Sequence, residues 1–253
     1  MSIDVVMFDL DDTLFAHSKA VATGVAAHRR AHGGAMAAAD EDAEFARWTD
    51  LEEHHYHRYL SGELGFMQQR RERSRGFVEP YGLDLSDDAV ADEWFGRYLA
   101  QYRLAWELHP DTRPLLDTLT QRLGVITNAE LGFQLSKIEA MGIAPRFEHV
   151  IASGEVGHAK PDPRIFHAAV TRFGVAPERA AYVGDRLHTD AIGAASAGLV
   201  GVWIDRAGAA STSDLAEAAG AGVAVIHGLA ELPALLGELA TPRGLRREPP
   251  RGS

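Results

Sequence analysis

The chain has 253 residues, 46% hydrophobic and 24% charged, which is enough apolar material for one large domain or a core with a smaller partner. It contains no cysteine, which excludes a disulfide framework and thiolate-held metals, and its formal net charge of −11 opposes binding to a nucleic-acid backbone. No basic leader precedes the first apolar run, and no stretch reaches the length of a membrane span, so a cytoplasmic protein without a membrane partner is expected.

Residues 3–8 are continuously apolar apart from Asp4 and predict a strand buried on both faces. The region 16–108 differs in character. Its segments His17–His32, Asp40–Leu60, Glu63–Phe77 and Ser86–Trp106 read as helices, with breaks at Gly33-Gly34, Ser61-Gly62 and Glu79-Pro80-Tyr81-Gly82. From His109-Pro110 onward strands and helices alternate. Strands are predicted at Leu123–Thr127, His149–Ile151, Ala180–Val183, Val200–Ile204 and Val223–Ile226. Helices are predicted at Leu131–Met141, Pro163–Phe173, Asp190–Ala197 and Leu229–Leu239. The small residues Gly193, Ala194, Ala195 and Ala197 suit a helix lying close to a sheet.

Alternation of this kind implies parallel pairing through helical crossovers. The fold class expected is therefore α/β, a doubly wound parallel-sheet (Rossmann-like) core, with an all-helical cap inserted after its first strand. The core takes residues 1–15 and 109–240 and the cap 16–108, while the Pro-, Gly- and Arg-rich tail 241–253 is expected to be disordered.

Ligands of such a sheet lie beyond the carboxyl ends of its strands. The first strand is followed by DLDDT, with Asp9, Asp11, Asp12 and Thr13. The second ends in Thr127-Asn128, the third leads to Lys160 in HAKPDP, and the fourth leads to Asp185 and Asp190 in GDRLHTD. Each group has a structural alternative. Asp9 and Asp185 can end strands as turn residues, and Thr127 can be an ordinary β-branched strand end. Lys160 can be a solvated loop lysine beside a helix that Asp162 caps and Pro163 starts. Yet the chain has only three lysines, Lys19, Lys137 and Lys160, against 22 arginines, which draws attention to each.

Taken together and in order, DLDDT, VITN, the lysine of HAKPDP and GDRLHTD resemble the four motifs of the haloacid dehalogenase-like (HAD) superfamily. The resemblance covers the whole core. It implies a Mg²⁺-dependent phosphatase of small phosphorylated metabolites working through an aspartyl-phosphate. Asp9 is then the nucleophile and Asp11 the general acid and base, while Thr127, Asn128 and Lys160 meet the phosphoryl group. The Mg²⁺ ligands implied are the Asp9 and Asp185 carboxylates and the Asp11 backbone carbonyl. Thr13 is expected to orient the loop through hydrogen bonds, and Asp190 either caps a helix or supports the metal site from outside its ligands. Asp12 is expected to take no part.

A carboxylate at position 11 favours esters, whose leaving oxygen needs a proton, over halides, whose departure needs none. A phosphomutase on the same machinery and a catalytically idle ligand- or partner-binding member are the alternatives. The cap is expected to act as a lid that excludes water and reads the leaving group. Within it, His54 and His57 share a helical face while His55 points elsewhere, so HHYH does not read as a metal site. One of Arg70, Arg71, Arg73 and Arg75 is a candidate grip on substrate, the others being expected on a solvated face paired with Glu72 and neighbouring acids.

Overall fold

A computed structural model describes residues 2–240. The predicted tail, 241–253, lies outside the described residues. The chain divides into two compact units, one from the described residues within Met1–Phe15 and Leu108–Ser253, the other from Ala16–Glu107.

The first unit is an α/β core on a six-stranded parallel sheet. In chain order its strands are β1 (Val5–Phe8), β2 (Arg122–Thr127), β3 (His149–Ala152), β4 (Ala180–Gly184), β5 (Val200–Ile204) and β6 (Ala224–Ile226), arranged β3-β2-β1-β4-β5-β6. Strand β1 is central, with Val5 pairing Arg122 on one side and Ala180 on the other. That position explains its unbroken apolar run, because a strand covered on both faces has no solvent side for polar residues. All four of its residues are fully buried.

The order of strands reverses at β1: the chain runs outward to β2 and β3, then returns to β4 and proceeds the other way. Such a reversal splays the loops at the strands' carboxyl ends and leaves a crevice between them. At the exit of β1 that crevice receives Asp9 and Asp11.

Strand positions match the sequence reading to within one or two residues, and four helices were not anticipated, Gly34–Ala38, Thr112–Thr118, Ser153–Val156 and Thr212–Gly220. Thr112–Thr118 and Thr212–Gly220 are short, seven and nine residues, and Pro114 obscures the periodicity of the first. The helix expected at Asp190–Ala197 begins earlier, as a π-helical turn Leu187–Ile192 that continues into Gly193–Ser196.

Among the described residues the second unit contains helices and no strand. Helix His17–His32 packs on helix Asp88–Leu104, and Gly24 permits the approach, because a Cβ there would lie 2.8 Å from the Tyr102 Cα. Its core is aromatic, with Trp48 fully buried against Tyr98 at 4.3 Å and Phe77 at 5.0 Å between ring centres. His28 stands edge-on to Trp94, and burial lowers its pKa to about 4, so it packs there as a neutral ring. No helix among the described residues is long and apolar enough to cross a membrane.

Arg71 and Arg75 pair with acids as the sequence reading expected, and Arg73 departs from it. Arg73 is buried, not solvated, pairs with Glu52 and lies over the Trp48 and Phe95 rings. Arg71 pairs with Asp88 and Asp92, and Arg75 with Glu72 and Asp88. Arg70 covers the rings of Phe66 and Phe95. Their charges are engaged within the helical unit, which leaves the proposed grip on substrate without support from Arg71, Arg73 or Arg75.

Candidate active site

Asp9 is the first residue beyond β1, and its N–H donates to the Val183 carbonyl at 2.8 Å, so the ladder with β4 still fixes its backbone. The chain then turns back on itself. Asp12 adopts φ 56°, the left-handed region that Asp and Asn tolerate better than bulkier side chains, and its N–H donates to Phe15. Arg206, on the loop after β5, closes this turn from outside, donating to the Thr13 carbonyl at 2.7 Å and to both oxygens of Asp111. The Thr13 hydroxyl is buried and makes no hydrogen bond among the described residues. The hydrogen bond that ties Thr13 into the loop is made by its carbonyl, through a guanidinium that arrives from 193 residues further along the chain.

Asp185 follows β4, its carbonyl accepting from the Trp203 indole at 2.8 Å. Asp190, within the π-helical turn, has both oxygens committed: Oδ2 accepts from the Arg186 N–H at 3.0 Å and Oδ1 from the Lys160 ammonium at 2.7 Å. It is not a helix N-cap, because the turn begins three residues before it. Gly184 makes its placement possible, since a Cβ there would stand 2.4 Å from the Asp190 Cβ.

Lys160 is buried, and its three N–H bonds are all spent. They go to Asp9 Oδ1 at 2.6 Å, to Asp190 Oδ1 at 2.7 Å and to the Tyr182 hydroxyl at 2.7 Å. Burial alone would lower its pKa, but Asp190 and Asp9 outweigh burial and hold it above the ordinary lysine value. Asn128, expected among the phosphate-binding groups, holds the backbone of this lysine. Its amide accepts from the Lys160 N–H at 2.7 Å and donates one of its two N–H groups to the Lys160 carbonyl at 2.9 Å.

The Thr127 hydroxyl accepts from the Ala129 N–H at 3.2 Å and from the Gln134 amide at 3.1 Å. With two donors filling its lone pairs, its own proton is left to donate. Asp11 lies apart from the Asp9 cluster, its carboxylate paired with Lys137 and Gln134 on helix Leu131–Ala140. Tyr182, Gln134, Lys137 and Arg206 did not emerge from the motifs. The rarity of lysine in the chain was the signal for Lys137.

Carboxylate oxygens of Asp9, Asp185 and Asp190 lie within 4.8 Å of one another. Three negative charges share one buried cation, Lys160, leaving a deficit of two. Burial first, then repulsion from Asp190 and Asp11, raises Asp9 to about 7 despite Lys160. Burial first, then Asp9 and Asp190, raises Asp185 to about 8. One divalent cation with a taste for hard oxygens would remove that deficit, so the residues present fit Mg²⁺.

The cation-free protein carries a testable mark of this arrangement. Both carboxyls have folded pKa values above the ordinary 3.8. Between those values and 3.8 the folded state holds more protons than the unfolded chain, so stability falls as pH rises through the window. EDTA-treated protein is expected to melt lower at about pH 8.5 than at about pH 5 as far as these groups contribute. Millimolar Mg²⁺ is then expected to raise the melting temperature at the higher pH by roughly 5 °C or more, each kcal/mol being worth about 2–4 °C at this chain length. Melting that ignores divalent ions at both pH values would remove the cation from this cluster.

The haloacid dehalogenase-like hydrolase family model matches residues 3–198. The glyceraldehyde 3-phosphate phosphatase of Methanopyrus kandleri is 36% identical over 215 residues, which is 81% of this chain and 84% of that protein. The phosphoserine phosphatase of Thermus thermophilus is 43% identical over 107 residues, but the match spans only 41% of this chain and 43% of that enzyme. A HAD-hydrolase from Bacillus subtilis bound to magnesium shares the fold, with a TM-score of 0.75 at 20% identity, covering 94% of this chain and 100% of that one. Since the family match takes in β1, the Asp9 turn, the Lys160 loop and Asp185, the chain belongs to the haloacid dehalogenase-like hydrolase family, alongside enzymes that hydrolyse phosphoric monoesters.

Proposed function

We propose that the protein is a Mg²⁺-dependent phosphatase of small phosphorylated metabolites, and that Asp9 carries the phosphoryl group between ester and water. The observation that supports this most is the pairing of Asp9 Oδ1 with the buried Lys160 ammonium at 2.6 Å, at the exit of the central strand. A strand end gives a carboxylate little freedom, and a charge-assisted bond fixes one of its oxygens, leaving the other to attack.

In this reading an Asp9 oxygen attacks phosphorus in line, the ester P–O bond breaks, and the leaving oxygen takes a proton from Asp11. Asp11 then takes a proton from a water that attacks the aspartyl-phosphate, releasing phosphate and restoring Asp9. The Thr127 hydroxyl donates to a phosphoryl oxygen. Lys160 has no N–H to spare in the resting arrangement, so its contribution is a fixed positive charge beside the reacting oxygen. Mg²⁺, held by the Asp9 and Asp185 carboxylates and the Asp11 carbonyl, would offset the charge of the carboxylates and of the phosphoryl oxygens.

The relatives named above place short phosphorylated metabolites, glyceraldehyde 3-phosphate and phosphoserine among them, first in the panel to be screened. With Mg²⁺, at least one member is expected to release inorganic phosphate at a rate abolished by EDTA. Product analysis separates the alternatives. An isomeric monophosphate without free phosphate makes the enzyme a mutase, and no turnover of any member makes it a binding protein.

A further inference from the structure

The Asp11 carboxylate is gripped from one side by two residues that the phosphatase reading does not use. Its Oδ1 accepts from the Lys137 ammonium at 2.5 Å, and its Oδ2 from the Gln134 amide at 2.9 Å. Both side chains rise from the same face of helix Leu131–Ala140, three residues apart. We propose that Lys137 and Gln134 are positioning residues, a two-pronged clamp that holds the Asp11 carboxylate in place for proton transfer at the phosphoryl site. The proposal rests on the phosphatase reading above.

Three features set the clamp apart from a surface ion pair. The Lys137 side chain is only 1% exposed, whereas that of Asp11 remains 29% exposed. The holder is thus inside, and the held group lies nearer the surface. A lysine so deeply buried is costly to desolvate and needs compensation. Besides Asp11, it has the Phe15 ring at 4.4 Å and the Phe133 ring at 5.4 Å, both of which restrict where the ammonium sits.

Gln134 is fully buried and divides one amide nitrogen between Asp11 and the Thr127 hydroxyl, at 2.9 Å and 3.1 Å. One amide therefore ties the proposed proton carrier on the β1 loop to the proposed phosphoryl contact at the end of β2. Proton transfer needs hydrogen-bond reach to the leaving oxygen, and a carboxylate free to swivel meets that condition only part of the time.

The test uses Lys137→Met, which keeps the volume of the stem and removes the charge, and Gln134→Leu, which keeps the packing and removes the amide. Each is assayed with Mg²⁺ on an alkyl phosphate, whose leaving oxygen needs a proton, and on p-nitrophenyl phosphate, whose phenolate leaves without one. The clamp predicts a fall in kcat/KM, which reports the expulsion of the leaving group and not the later attack of water, of at least ~10-fold on the alkyl ester and within about 3-fold on the aryl ester. It also predicts that Lys137→Met adds no further loss to Asp11→Asn on the alkyl ester, and that Lys137→Arg recovers part of the rate.

Equal losses of kcat/KM on both esters, or effects that multiply with Asp11→Asn, would make the pair a structural tie and overturn the proposal. If one variant fails to fold by circular dichroism and melting, the other decides. Wild-type protein that hydrolyses neither ester overturns the phosphatase reading and the clamp with it. Normal hydrolysis lost in Asp9→Asn, with leaving-group dependence unmoved in Lys137→Met, overturns the clamp alone.

Discussion

Asp9→Asn is expected to abolish phosphate release, by about four to six orders of magnitude in kcat, the scale seen when a covalent nucleophile is removed. The substitution preserves shape and the bond to Lys160 through the amide oxygen, but an amide does not form a stable link to phosphorus. Folding is expected to survive. Asp9 is buried and its pKa is raised to about 7, chiefly by desolvation, so a neutral side chain is no less at home there than the carboxylate. Rapid acid quench of wild-type protein during turnover is expected to trap phosphate on the chain, and the variant is expected to trap none. A variant that keeps its turnover, or that still labels on Asp9's peptide, would end the nucleophile assignment.

Lys160→Met has the second largest expected effect, and it acts on stability as well as rate. The ammonium is the shared partner of Asp9 and Asp190, and its removal leaves two buried carboxylates facing each other without a counter-charge. Breaking a buried pair from one side typically costs about 3–5 kcal/mol of folding stability. Part of that loss is expected to be recovered on lowering the pH, because protonation relieves the unpaired carboxylates. On rate, the loss of one fixed donor and charge is expected to cost ~10²–10³ in kcat, about 3–4 kcal/mol. The acid limb of the pH–rate profile should move to higher pH, since Lys160 is the group that opposes burial at Asp9. A loss below about tenfold in kcat/KM, measured on folded protein, would place the lysine outside the chemistry.

The two variants together separate attack from environment. Asp9→Asn removes the attacking atom and lessens the excess of negative charge. Lys160→Met leaves the attacking atom and increases that excess. A protein that merely binds phosphorylated ligands would lose affinity with the lysine and show no turnover for either variant to change.

Much of this is legible in the sequence. The unbroken apolar run at Val5–Phe8 called for a strand covered on both faces, and that strand proved to be the centre of the sheet. Alternating periodicities marked the six strands, and a strand-free stretch of about ninety residues marked the inserted helical unit. The groups expected at the ends of β1, β2 and β4, together with Lys160, face the same crevice because parallel strands all point their carboxyl ends one way.

What the sequence determined by itself was thus the local pattern: which segments bury both faces, where they end, and which chemical groups sit at those ends. Periodicity and turn chemistry act over a few residues, so one chain carries their record. The tertiary structure decided who meets whom. Lys137 reaches Asp11 across 126 positions, Gln134 across 123 and Arg206 reaches Thr13 across 193, distances over which no local propensity operates. It also gave partners to groups of known type. Asn128 holds the backbone of Lys160, and Asp190, read as a helix cap or a support of the metal site, is the buried counter-charge of that lysine. A polar side chain's role depends on which partners satisfy it once water is excluded, and only the folded chain supplies those partners.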